Sequence, residues 1–149
     1  MSPARTTESI LLLQCSLDDC SPQIIGYVLE RALELGALDA YTTPLHMKKC
    51  RPGVELTLLA RPEQRDPLLD LLLAETPTLG VRLLPCERVV LVRDMITVAT
   101  PYGPIRVKRS GDKLAPEYED CRAAARRAGV PLRQVVQAAA AAAAPSAPK

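Results

Sequence analysis

The apolar positions of this chain switch between strand and helix periodicity several times. Ile10 to Leu17 is a mostly apolar run, the pattern of a buried strand. Asp18 to Pro22 carries helix-start chemistry, with Ser21 as N-cap and Pro22 at the first helical position. Ile24, Ile25, Val28, Leu29, Ala32 and Leu33 recur at helical spacing, and Gly36 ends the pattern. Leu38 to Met47 predicts a strand bearing Tyr41, Thr42 and Thr43. Pro52-Gly53 predicts a turn, and Val54 to Ala60 a second strand paired with the first like a hairpin. Pro62 to Glu75 predicts a second helix, dominated by Leu68, Leu69, Leu71, Leu72 and Leu73. Val81 to Val92 is extended and interrupted by Pro85. The order β-α-β-β-α-β predicts an α+β fold. Residues 1–93 would form a ferredoxin-like lobe with two helices on one face of an antiparallel sheet.

A smaller β-hairpin plus two-helix unit is expected over 94–144. Met95 to Thr100 alternates as a strand, Pro101-Tyr102-Gly103-Pro104 is a turn, and Ile105 to Lys108 is the returning strand. Gly111 opens a loop into Pro116. Glu117 to Ala128 predicts a helix stopped by Gly129, and Pro131 to about Ala144 predicts another. The alanine run 138–144 favours helix but offers little to pack. Residues 145–149 are expected to be a disordered tail.

Composition narrows the class. Apolar residues make up 48% of 149, enough for a core, but Phe and Trp are absent, so Leu, Val and Ala must fill it. A net charge of +2 is too small for general nucleic-acid or membrane binding. No apolar run approaches a membrane span, and residues 1–10 lack the layout of a signal peptide. Cys15, Cys20, Cys50, Cys86 and Cys121 are odd in number and scattered, with no C-x-x-C pair. A disulfide framework or zinc site is not expected, and a reducing cytoplasm is. His46 is the only histidine, so no soft-metal cage is evident.

The candidate chemistry lies in two charged stretches. Lys48, Lys49 and Arg51 put three cations within four positions at a strand end. Lys offers a point charge to phosphate and Arg a planar two-pronged donor. Strand alternation places Lys48 and Lys49 on opposite faces. The plainer alternative is a charged guard on a sheet edge. Upstream, Asp18 and Asp19 can hold Mg²⁺ or Mn²⁺, hard ions that take one or two carboxylates with phosphate oxygens and water. Alternatively one Asp caps the helix and the other is solvated. Arg82 follows Gly80, where a glycine permits close backbone approach of a ligand or another strand; it suits phosphate or a surface ion pair. Tyr102 can stack on a base or pack on its own hairpin. Glu117, Glu119 and Asp120 complement a helix dipole, or bind a metal or a base amino group.

Five ordered segments carry a family resemblance. They are Leu17-Asp18-Asp19, Met47-Lys48-Lys49 with Arg51-Pro52-Gly53, Thr78-Leu79-Gly80-Val81-Arg82, Thr100-Pro101-Tyr102-Gly103-Pro104 and Pro116-Glu117-Tyr118-Glu119-Asp120-Cys121. Over roughly residues 12–140 the chain resembles the C-terminal half of the LarC family. The resemblance implies nickel insertion into pyridinium-3,5-bisthiocarboxylic acid mononucleotide, the precursor of the nickel-pincer cofactor of lactate racemase. It also implies dependence on CTP, bound with a divalent metal by the C-terminal half. Asp18 and Asp19 would hold the metal. Lys48, Lys49, Arg51, Arg82, Tyr102 and Glu117 would bind the nucleotide. Nickel would be the transferred metal, with Cys50 and Cys121 as soft ligands or simply small buried side chains. The family's histidine-rich N-terminal half is not in this chain and is the expected partner. Gln14 and Gln23 stand where the family has glutamates, and the segment from Lys108 to Pro116 is short enough to trim a strand. A ferredoxin-like sheet also pairs readily into homo-oligomers, so the competing function is a non-catalytic nucleotide-binding or oligomerisation module.

Overall fold

The computed structural model describes residues 4–144, which divide into two compact units: Thr7–Val89, and residues 4–6 with 90–144. The expectation for residues 145–149 lies outside the described residues. The elements run β1 (Arg5–Leu17), α1 (Pro22–Glu34), β2 (Asp39–Met47), β3 (Arg51–Ala60), α2 (Arg65–Glu75) and β4 (Arg82–Leu91). Next come β5 (Asp94–Thr100), β6 (Gly103–Ser110), β7 (Lys113–Pro116), α3 (Tyr118–Ala128) and α4 (Leu132–Ala143).

In the first unit the sheet order is β2-β3-β1-β4, with β3 antiparallel to both β2 and β1. This is the ferredoxin-like arrangement expected from the element order. Leu11, Leu13, Cys15 and Leu17 of β1 and Leu56, Leu58 and Ala60 of β3 share the face that meets the helices. There they bury Val28 and Ala32 of α1 and Leu68 and Leu72 of α2, pairs four residues apart on one helical face. Each fully buried leucine contributes about 2 kcal/mol of transfer free energy. Ser21 caps α1, its Oγ accepting the Gln23 N–H at 3.3 Å, and Pro22 opens the helix. Pro62–Gln64 form a short 3-10 turn, so α2 proper starts at Arg65 rather than Pro62.

Three expectations change here. The reversal between β2 and β3 is not at Pro52-Gly53. Met47 pairs with Arg51, and Lys48–Cys50 make the turn, with Lys49 (φ 62°) and Cys50 (φ 57°) left-handed. Pro52 sits inside β3 opposite His46, beyond the last β1–β3 pair (Leu17 with Val54), so its missing N–H breaks no bond to β1. Lys48 and Lys49 are therefore turn residues, and strand alternation does not sort them onto opposite faces. Pro85 does not interrupt β4, which is an edge strand, the place in a sheet that tolerates a residue without an N–H.

The second unit is a three-stranded antiparallel sheet, β5-β6-β7, with α3 and α4. The loop expected from Gly111 into Pro116 is instead a short strand. Lys113–Pro116 pairs with β6 as a third strand. Ile105, Val107, Cys121, Ala124, Val135, Ala139 and Ala143 form its core. The alanine run does pack: Val135, Ala139 and Ala143 fall four apart on one face of α4 and are buried in that core. Gly129 ends α3 in the left-handed conformation (φ 65°), and its N–H donates to the Ala125 carbonyl. Among the described residues no helix is long and apolar enough to cross a membrane.

Candidate functional site

Three of the chain's chemically distinctive segments converge at one end of the first unit's sheet. They are the exit of β1 at Asp18, the β2–β3 turn, and the entry to β4 at Arg82. Gly53 makes the first two meet. A Cβ there would lie 2.7 Å from the Leu17 carbonyl oxygen and 3.0 Å from Met47 Sδ, so only glycine lets β3 run this close to the end of β1. The result is an ion pair: Arg51 Nη1 donates to Asp18 Oδ2 at 3.3 Å. The Asp18 side chain is 18% exposed and Arg51 58%, so the guanidinium keeps donors facing solvent. Lys48, Lys49 and Asp19 are exposed beside them.

Arg82 is held on the sheet face turned away from the helices. Its Nη2 donates to Glu55 Oε2 at 2.6 Å and to Ser16 Oγ at 3.2 Å. Gln14 Nε2 donates to Glu55 Oε1 and Thr57 Oγ1, both at 3.2 Å. Gln14 therefore has a local reason. A carboxylate there would face Glu55, whereas an amide can donate to it. Glu55, the lone acid in an otherwise apolar and threonine strand, was not singled out from the sequence. Its isolation in Val54–Ala60 was the available signal.

The loop into Arg82 is laced by hydroxyls. Thr76 Oγ1 donates to the Leu72 carbonyl at 2.7 Å, and Thr78 Oγ1 donates to the Gly80 carbonyl at 2.9 Å. Leu79 between them is fully exposed. A Cβ at Gly80 would meet nothing within 4 Å, so no strand of this unit requires its lack of a side chain.

Two thiols lie close by. Burial pushes the Cys15 thiol up, partly opposed by Arg82, and burial with the Asp19 charge pushes Cys20 up. Both shifts favour the thiol over the thiolate. Cys50 is exposed in the turn. Among the described residues no three His, Cys, Asp or Glu side chains gather as a metal cage.

Tyr102 and Glu117 belong to the second unit. Tyr102 packs against that unit's own core, its N–H donating to Thr100 Oγ1 at 3.1 Å and its carbonyl accepting Arg127 Nη2 at 2.7 Å. Glu117 accepts Lys108 Nζ at 2.6 Å, and its backbone N–H donates to the Arg106 carbonyl. Asp120 accepts the Arg106 backbone N–H at 3.0 Å, Nε at 2.8 Å and Nη2 at 2.7 Å. The Arg106 guanidinium and N–H hold its carboxyl down to about 2. These acids tie α3 to β6. Cys121 is fully buried in the second core, with its thiol pushed up mainly by burial.

Residues 2–136 match the family model described as nickel insertion protein. The chain belongs to the nickel insertion protein family. It is 46% identical over 135 residues to the pyridinium-3,5-bisthiocarboxylic acid mononucleotide nickel insertion protein of Acetivibrio thermocellus, covering 88% of this chain and 33% of that one. It is 41% identical over 139 residues to the protein of the same name from Lactiplantibacillus plantarum, covering 91% and 33%. The chain thus spans about a third of the length of these relatives. Its fold matches the apo form of LarC2, the C-terminal domain of a cyclometallase involved in synthesis of the NPN cofactor of lactate racemase. That match has a TM-score of 0.83 at 40% identity and covers 92% of this chain and 98% of that domain. A protein of Methanopyrus kandleri shares the fold alone, with a TM-score of 0.63 at 21% identity over 95% and 91% of the two chains.

Proposed function

We propose that this chain is the nucleotide-binding portion of a nickel-inserting protein. It would bind CTP with Mg²⁺ or Mn²⁺ while nickel is placed into pyridinium-3,5-bisthiocarboxylic acid mononucleotide. The observation that carries the reading is the Asp18–Arg51 contact at 3.3 Å, which brings a carboxylate strand end and a cationic turn together at one end of one sheet. Arg51 would grip phosphate oxygens with its outward donors. Lys48 and Lys49, both on the turn, would neutralise the remaining phosphate charge. Arg82, oriented by Glu55 and Ser16, would support the same anion. Tyr102 and Glu117 belong to the second unit, where Glu117 is paired with Lys108 and the Tyr102 carbonyl with Arg127, and this reading does not use them.

The oxygen donors fit a hard divalent ion. Asp19 is exposed and Asp18 is engaged by a cation that a phosphate can draw away, and a hard divalent ion takes one or two carboxylates together with phosphate oxygens and water. Such an ion, when bound, offsets phosphate charge. Nickel is the substrate metal. Its handling would fall to the other two-thirds of the family's protein, in the same chain or a cytoplasmic partner.

A second reading is a non-catalytic module that binds nucleotide or self-associates into a homo-oligomer. Tyr41 and Leu84, 43% and 40% exposed on the sheet face turned from the helices, favour it. Calorimetric titration with CTP and ATP, with and without chelator, tests the first reading. Metal-dependent CTP binding preferred over ATP is expected, and equal affinities throughout would overturn it. CTP turnover in the presence of the other family segment, nickel and the apo-cofactor separates the two readings.

A further inference from the structure

The second unit has a concavity that plays no part in the site above. It measures about 280 Å³ and is lined by Arg93, Lys108, Arg109 and Lys113 over an apolar floor that includes Leu91 and Leu114. Lys108 and Arg109 each have one carboxylate partner, Glu117 at 2.6 Å and Asp94 at 2.6 Å. Arg93 and Lys113 make no ion pair among the described residues. The cavity therefore carries an excess of two positive charges, as large as the net charge of the whole chain. Both paired carboxylates are committed, and the lining holds no acid to neutralise Arg93 and Lys113.

We propose that this concavity binds an organic anion of the pyridinium mononucleotide class, the second substrate of the reaction proposed above. The inference rests on that reading for the ligand's identity. Three features select the class. The size, near roughly 300 Å³, the lower end of ligand pockets, admits a mononucleotide but not a folded segment of protein. Two unpaired cations from different segments, one a planar fork and one a point charge, suit a phosphate together with a ring acid group. Leu91 and Leu114 supply an apolar surface for a flat ring, which inorganic phosphate would not use. A pyridinium mononucleotide carrying ring thiocarboxylates has phosphate, ring acids and flat ring in one molecule. The substrate named for the relatives is of this class. The chain would then hold CTP on its first unit and the pyridinium nucleotide on its second.

The probe is nicotinic acid mononucleotide, titrated by calorimetry and by amide chemical-shift mapping, with inorganic phosphate and CTP as separate arms. Arg93→Ala/Lys113→Ala removes the unpaired cations and leaves both ion pairs intact. The expected result is shift perturbation at Leu91, Lys113 and Leu114, affinity at least tenfold weaker in the double variant, and CTP affinity unchanged. Inorganic phosphate should displace the mononucleotide only at much higher concentration. No binding by the unaltered chain, unchanged binding in the double variant, or competition by CTP would each overturn the proposal. Failure of CTP to bind at all would overturn the CTP reading while leaving an Arg93/Lys113-dependent mononucleotide site standing.

Discussion

Gly53 and Gly26 offer the same chemical change with opposite expected signs. In Gly53→Ala the new methyl would stand 2.7 Å from the Leu17 carbonyl oxygen and 3.0 Å from Met47 Sδ. The methionine end can swing away, but the carbonyl is main chain of β1, and moving it drags Asp18. Overpacking of this kind costs about 1–3 kcal/mol, against about 0.4–1 kcal/mol gained by stiffening the unfolded chain. A net loss of about 1–2 kcal/mol follows, or roughly 2–8 °C in Tm for a chain of this size. In Gly26→Ala the methyl meets nothing within 4 Å on α1, so a gain of about 0.5–1 kcal/mol is expected from helix propensity. Urea unfolding with amide exchange read in β1 and β3 reports the first unit alone. Gly53→Ala should also weaken nucleotide binding, because Leu17 positions Asp18. A Gly53→Ala protein as stable as the parent, with β1 amides equally protected, would refute the close-approach reasoning.

Further outcomes follow from the same geometry. Arg51→Ala should lower CTP affinity tenfold or more and Lys49→Ala less, since charge-assisted bonds to a planar fork are worth about 1.5–3 kcal/mol each. Equal losses in titration would remove the distinction. Cys50→Gly should stabilise by about 0.5–1 kcal/mol in urea unfolding, because Cys50 sits at φ 57°; a destabilised variant would count against that. The Asp120 carboxyl, held at about 2 against an ordinary 3.8, contributes stability that is present above about pH 4 and lost as pH falls toward 2. For so exposed a pair this is about 1 kcal/mol or less. Asp120→Asn should be less stable at pH 7 and lose that acid step, as measured by exchange at the start of α3.

Much of this architecture follows from local pattern. The apolar run of β1, the Ser21-Pro22 start of α1, the leucines of α2 and the order of elements all speak within a few residues, so the ferredoxin-like lobe was readable along the chain. Asp18 and the Lys48–Arg51 cluster were likewise visible as charge against an apolar background. What only tertiary structure decided depends on which strand lies beside which. Pro52-Gly53 looks like a turn in isolation. It becomes strand because β3 outruns β1 there and the absent side chain of Gly53 lets the two backbones close. Lys113–Pro116 looks like loop until β6 offers it a hydrogen-bonding edge. Ala139 and Ala143 look unable to pack until the second unit's core meets their face of α4. Glu55 gains a role only from Gln14 and Arg82, 41 and 27 residues away along the chain. Pairing across such separations depends on register and contact, which a run of residues read one at a time does not contain.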